Sequence, residues 1–104
     1  MTNETLETIK SRRSCRAYKP EQITDEELNA VLEAGTYAAS AMGRQSAKIV
    51  VVQDAATRAR LSRMNAQIMG SSGDPMYGAP TILVVLADAN NYNAVPDGSL
   101  VMGN

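Results

Sequence analysis

The sequence predicts a mixed fold, α+β or α/β, and three observations carry that expectation. Two short β-branched runs, Lys48–Gln53 and Thr81–Ala87, have the length and composition of strands. Amphipathic stretches with recognisable start or stop signals alternate with them, giving the order helix, helix, strand, helix, strand. The whole fits in 104 residues, enough for one domain with a modest core.

The first helix is expected over Glu4–Arg12, capped by Asn3, with Leu6 and Ile9 on one face. Lys10, Arg12 and Arg13 close it with a basic turn that suits the negative end of the helix dipole. Thr24-Asp25-Glu26-Glu27 has the form of a capping box, in which the Thr hydroxyl and the Glu carboxylate each accept from the other's backbone N–H. Leu28, Val31 and Leu32 follow at helical spacing, and Gly35 marks the expected end. Lys48–Gln53 then reads as a buried strand. Asp54 caps a helix carrying Leu61, Met64 and Ile68, which ends near Gly70. Ser71–Pro75 is loop, and Tyr77-Gly78-Ala79-Pro80 introduces the second buried strand, Thr81–Ala87, before the polar loop Asp88–Asn93. Asp97-Gly98-Ser99 reads as the start of another helix, barely nucleated at Asn104. Two strands alone make a marginal sheet. The missing strands are therefore expected from another chain, from a lost C-terminal half, or from a dimer partner.

Ten Lys and Arg against 11 Asp and Glu give a formal net charge of -1, so no long-range attraction to nucleic acid or anionic lipid is expected. The polar start Met1-Thr2-Asn3-Glu4 lacks the basic and apolar regions of a secretory signal. Ile82–Ala87, the longest aliphatic run, falls far short of the roughly 20 residues that span a bilayer. A cytoplasmic protein is expected, with no membrane and no nucleic-acid partner. The absence of histidine excludes a Ser-His-Asp triad, a Cys-His pair and a His-rich zinc site within this sequence. A single cysteine, Cys15, excludes an internal disulfide and a Cys-only metal site. What remains is chemistry performed by a bound cofactor, or none, so no side chain is assigned as catalytic and no metal is expected.

Arg12-Arg13-Ser14-Cys15-Arg16-Ala17-Tyr18 places three guanidinium groups and a hydroxyl within five residues, just past a helix end. A phosphate is held by such a set: charged forks, a short hydroxyl donor, and N–H groups freed where a helix unwinds. On these residues alone the bland reading, a solvated basic turn, is the stronger one.

The pattern Arg12-Arg13-Ser14-x-Arg16-x-Tyr18, followed by Thr24-Asp25-Glu26-Glu27-Leu28, resembles the opening signature of the nitroreductase family of FMN-dependent, NAD(P)H-linked flavoproteins. The stretch from Ala38 to Val51 resembles the family's run of small residues and Gln that leads into the first core strand, and Tyr77-Gly78-Ala79-Pro80 is similar to a third recurring feature. The resemblance covers essentially the whole sequence and matches the front half of longer members. It implies a nitroreductase-like α+β fold, three-layer α-β-α, with residues 1–104 as the N-terminal portion of a single domain and the C-terminal half missing.

The same resemblance implies that Arg12, Arg13 and Ser14 contact the FMN phosphate and ribityl chain. Arg16 would reach the pyrimidine edge of the isoalloxazine, where a cation favours the charge developing at N1 and O2. Ala39, Ser40, Ala41 and Gly43, followed by Gln45, would line the site from the partner subunit of a homodimer, small side chains letting backbone approach the flat ring. The sequence departs from the family pattern where many members carry Pro at the position of Ala39, Asn at Gly43, and Pro-Trp in place of Ser46-Ala47.

The implied activity is hydride transfer from NAD(P)H through the flavin to a nitroaromatic, quinone or similar small-molecule acceptor. The alternative is a non-enzymatic truncated fragment that folds only by association with a partner chain. A nucleic-acid binder built on Lys10, Arg12, Arg13, Arg16 and Lys19 is disfavoured by the net charge and by the presence of only four Tyr and no Phe or Trp. Cys15 has no base to activate it, and Met42, Met64, Met69 and Met76 read as core or interface filler.

Overall fold

The computed structural model describes residues 1–104. Helix α1 (Glu4–Ser11) begins where the Asn3 carboxamide oxygen accepts from Leu6 N at 2.9 Å. It ends one residue earlier than expected, because Arg12 leaves helical geometry at φ -51, ψ 134. Helix α2 (Asp25–Thr36) carries the complete capping box. Glu27 N donates to Thr24 Oγ1 at 3.1 Å, and Thr24 N donates to Glu27 Oε2 at 2.9 Å.

Gly35 does not terminate α2 as the sequence suggested. It is buried within the last turn, and a Cβ added there would lie 2.9 Å from Ile49 Cδ1. Glycine serves close packing of α2 on the first strand, not helix termination.

Strands β1 (Lys48–Val52) and β2 (Ile82–Leu86) pair antiparallel, with Val50 opposite Val84 at the centre of the register. Between them runs helix α3 (Ala55–Met69). Asp54 caps it, accepting from Thr57 N at 2.8 Å and Thr57 Oγ1 at 2.7 Å, and Gly70 closes it at φ 67. The turn that follows is held by Asp74, whose carboxylate accepts from Ser62 Oγ, Met76 N and Gly78 N. These contacts carry the chain through the left-handed Tyr77 and Gly78 into β2.

Helix α4 (Ala94–Gly103) starts three residues before the expected Asp97. The Asp88 and Asn91 side chains order the preceding turn by accepting from Asn90 N and Asn93 N, so helical geometry is reached by Ala94. Pro96 is tolerated because it falls in the first turn, where its missing N–H has no intrahelical partner to lose.

Helices α2 and α4 form one layer over the sheet face that carries Ile49, Leu83 and Val85. On the opposite face α3 and the Ile82 end of the sheet border a shared cavity. Only four residues, Gly35, Ala66, Asp97 and Gly98, are buried. The two strands, expected to be buried, are only partly covered: none of their residues is fully buried, and Val50 is 42% and Leu86 50% exposed. Two strands and a partial helical cover do not close over a core, and the radius of gyration is 15.6 Å where a compact chain of this length has about 13 Å.

Candidate functional site

The basic segment leaves α1 as irregular chain, with every residue from Arg12 to Lys19 exposed. Its far end is anchored to the sheet. Gln22 Nε2 donates to Pro80 O at 2.8 Å, Thr81 Oγ1 donates to Gln22 Oε1, and Gln53 Nε2 reaches Thr81 Oγ1 at 3.0 Å. Within the segment, Tyr18 Oη donates to Cys15 O at 2.9 Å and closes a local loop over Cys15–Tyr18. Arg13 Nη1 donates to Lys10 O at 3.1 Å and Arg12 O at 2.8 Å, so one guanidinium satisfies carbonyls at the end of α1. The exposed Cys15 thiol contacts Ala17 O.

The second group of expected site residues lies on the loop from α2 to β1. Three residues in four take the left-handed region there: Met42 at φ 54, Gly43 at φ 65 and Gln45 at φ 49. For the two non-glycine residues this costs about 1–3 kcal/mol each, and such strain persists only where surroundings over-determine it. Three contacts do so. Ser40 Oγ accepts from Gln45 N at 3.0 Å across the loop, Asn91 Nδ2 donates to Ser46 Oγ at 2.9 Å, and Ala41 N donates to Asp97 Oδ1 at 3.0 Å. A Cβ added at Gly43 would meet nothing, so φ rather than space within the chain calls for glycine.

Ala39, Ser40 and Gln45 line a half-open cavity of about 340 Å³ beneath this loop, together with Leu32, Ala47 and Asp97. That volume is at the lower end of the range of small-molecule sites. The basic segment does not line this cavity. The structure therefore brings Ala39, Ser40 and Gln45 to one cavity, leaves Ala41 and Gly43 outside its lining, and keeps the guanidinium group on a separate exposed surface. No cluster of three or more His, Cys, Asp or Glu is placed to hold a metal ion, and no helix is long and apolar enough to cross a membrane.

The sequence pattern of the nitroreductase family matches residues 9–99, nearly the whole chain. The chain belongs to the nitroreductase family. Among its relatives, the FMN reductase [NAD(P)H] of Bacillus subtilis is 29% identical over 89 residues, which are 85% of this chain and 33% of that protein. A nitroreductase with bound FMN from Bacteroides fragilis superposes with a TM-score of 0.84 at 33% identity, covering 98% of this chain and 62% of that one. A nitroreductase with bound FMN from Desulfitobacterium hafniense gives 0.86 at 32%, over 99% and 62%. This nitroreductase-family chain thus spans a third of the Bacillus relative and 62% of each of the two structures. The expected α+β nitroreductase fold is the one observed.

Asp97 was not among the residues expected at the site. It is 2% exposed, within the first turns of α4, and reaches the loop across 56 residues of sequence. In the sequence, Asp97-Gly98-Ser99 looks like the start of a helix. Nothing in that stretch of sequence marks the carboxyl as the partner of a distant backbone N–H.

Proposed function

We propose that this chain supplies flavin-binding residues to an NAD(P)H-dependent, FMN-containing oxidoreductase of nitroreductase type. The observation that carries the proposal is the pairing of an exposed Arg12-Arg13-Ser14-x-Arg16 segment with a strained loop of small residues at Ser40–Gln45. The donor chemistry fits FMN: guanidinium forks and a hydroxyl match a phosphate, and a loop of small side chains matches the face of a flat ring. Bound FMN would supply the hydride relay between NAD(P)H and a nitroaromatic, quinone or similar acceptor.

Arg12 and Ser14 would hold the phosphate and ribityl chain, with Arg13 dividing its donors between that anion and the end of α1. Arg16 would neutralise negative charge at the pyrimidine edge, so its effect belongs to electron affinity more than to retention. Ala39, Ser40, Ala41, Gly43 and Gln45 would present the opposite wall. Because the basic segment does not line the loop cavity, the two groups are best served by one flavin shared across a homodimer, each subunit contributing one group. The intracellular supply of NAD(P)H places such an enzyme in the cytoplasm.

Flavin absorbance and FMN titration test the proposal. Arg12→Ala and Ser14→Ala should each weaken FMN by roughly 1.5–3 kcal/mol, the worth of a donor to a charged acceptor. Arg16→Ala should shift the flavin potential more than the affinity. Protein that stays colourless after incubation with FMN would sink the cofactor assignment, and an Arg12→Ala variant that binds like the parent would sink the phosphate assignment. The open core also favours a second reading, a non-catalytic fragment that folds only on association. In that case a folded assembly would form and still take up no flavin.

A further inference from the structure

The carboxyl of Asp97 is the only charged or polar side chain the chain buries, and it is spent on a loop rather than on its own helix. One oxygen accepts from Ala41 N at 3.0 Å, and the other, Oδ2, is sealed from solvent with no partner in the chain. Burying an acceptor without a partner works against stability, so a group of this kind calls for an explanation beyond packing. The explanation lies at the other end of the bond. Ala41 immediately precedes Met42 and Gly43, two of the three left-handed residues, and Ala41–Gly43 has no side-chain cap from Ser40 to hold it. Besides the turn's own backbone bonds from Gly43 N to Ser40 O and Arg44 N to Ala41 O, the other side-chain restraints act farther along, at Gln45 and Ser46.

Resting on the flavin reading above, we propose that Asp97 is a positioning residue: through the Ala41 N–H it fixes the strained Ser40–Gln45 loop in the conformation that presents its small residues to the cofactor. Asp97 lies in the wall of the loop cavity, but Oδ2 is sealed from solvent and Oδ1 is engaged by Ala41 N, so its role runs through the loop backbone.

The test has two arms, one of which needs no flavin. In the flavin-free protein, amide exchange at Ala41 should be protected. Asp97→Ala should accelerate it about tenfold or more, while amides of the β1–β2 ladder exchange as before. Asp97→Asn keeps a carbonyl acceptor and should leave Ala41 protected. In the second arm, Asp97→Ala should weaken FMN binding about tenfold and alter the visible circular dichroism of the bound flavin, whereas Asp97→Asn should restore both. Adding Met42→Gly to Asp97→Ala should recover part of the affinity, because glycine holds the left-handed geometry without the clamp.

An Ala41 amide in the parent that exchanges as fast as an unstructured one would overturn the proposal without any variant. So would an Asp97→Ala protein with parental Ala41 exchange and parental FMN affinity, or an Asp97→Asn protein that loses Ala41 protection. If Asp97→Ala fails to fold, the parent and Asp97→Asn measurements decide the matter. Failure of the parent to bind FMN would remove the cofactor reading alone, leaving the clamp to be judged by exchange.

Discussion

Dilution is the perturbation to which this chain should be most sensitive. Its accessible surface is 8224 Å², whereas a compact monomer of 11.1 kDa exposes about 5,700 Å². The excess, roughly 2,500 Å², is the size of an obligate interface, and it includes apolar groups from the sheet and from α3, such as Leu86 and Ile68. If two copies cover these faces mutually, folding and association are one equilibrium, and each tenfold dilution lowers the stability of the assembly by about 1.4 kcal/mol. For a dimer of this total size that corresponds to about 3–6 °C in Tm per tenfold dilution. FMN at a hundred times its Kd should restore about 2.7 kcal/mol, provided that the flavin site spans both subunits. Calorimetry over a dilution series, with sedimentation velocity at each concentration, measures both quantities. A compact monomer whose Tm is independent of concentration, with and without FMN, would refute both the area argument and the shared site.

Three further outcomes follow from local geometry. Thr24→Ala removes the acceptor for Glu27 N and should cost about 1 kcal/mol in chemical denaturation, with Thr24→Ser nearly neutral. The Asp54 carboxyl is held below its ordinary value of 3.8 by the Thr57 hydroxyl, then by the Thr57 amide, and Asp74 is lowered by the Ser62 hydroxyl and the Met76 and Gly78 amides. Since both folded values are depressed, their stabilisation is complete above 3.8 and is lost as pH falls below it. Asp54→Asn and Asp74→Asn, which keep an acceptor but do not titrate, should flatten the acid limb of the stability profile; an unchanged limb would count against both sites. At Gly35, alanine gains about 1 kcal/mol of helix propensity and asks only for a shift of the terminal Ile49 methyl, so it should be close to neutral. Valine meets Val101 as well and should cost about 1–3 kcal/mol in the same denaturation assay.

Where structure is set by neighbours in sequence, it was legible. The Asn3, Thr24 and Asp54 caps and the Gly70 stop are contacts within five residues, and each helix they bound was placed to within a residue at the capped end. Gly35 shows the limit: the same residue type ends helices and allows helices to touch strands, and only the position of Ile49 decides between them. Burial of β1 and β2 was misjudged for a related reason. A β-branched run records that a strand is apolar, but whether anything covers it depends on mass that two strands and four helices do not provide.

The site divides along the same line. Arg12, Arg13, Ser14 and Arg16 could be put forward for the site because the pattern that suggests them is carried by spacing within one short segment. Ala39 to Gln45 could be singled out as a run of small residues, but its strain could not, since Met42 and Gln45 are not residues that announce a left-handed backbone. The contact of Asp97 with the loop was invisible in the sequence because its partner is a backbone N–H, which every residue but proline offers and no sequence pattern marks. A loop whose own residues do not favour its geometry needs restraints from outside it, and here these come from Asn91 before α4 and from Asp97 within α4. The conformation of the loop is thus encoded about 50 residues away from it, in side chains that look like ordinary turn and cap residues until the fold brings them together.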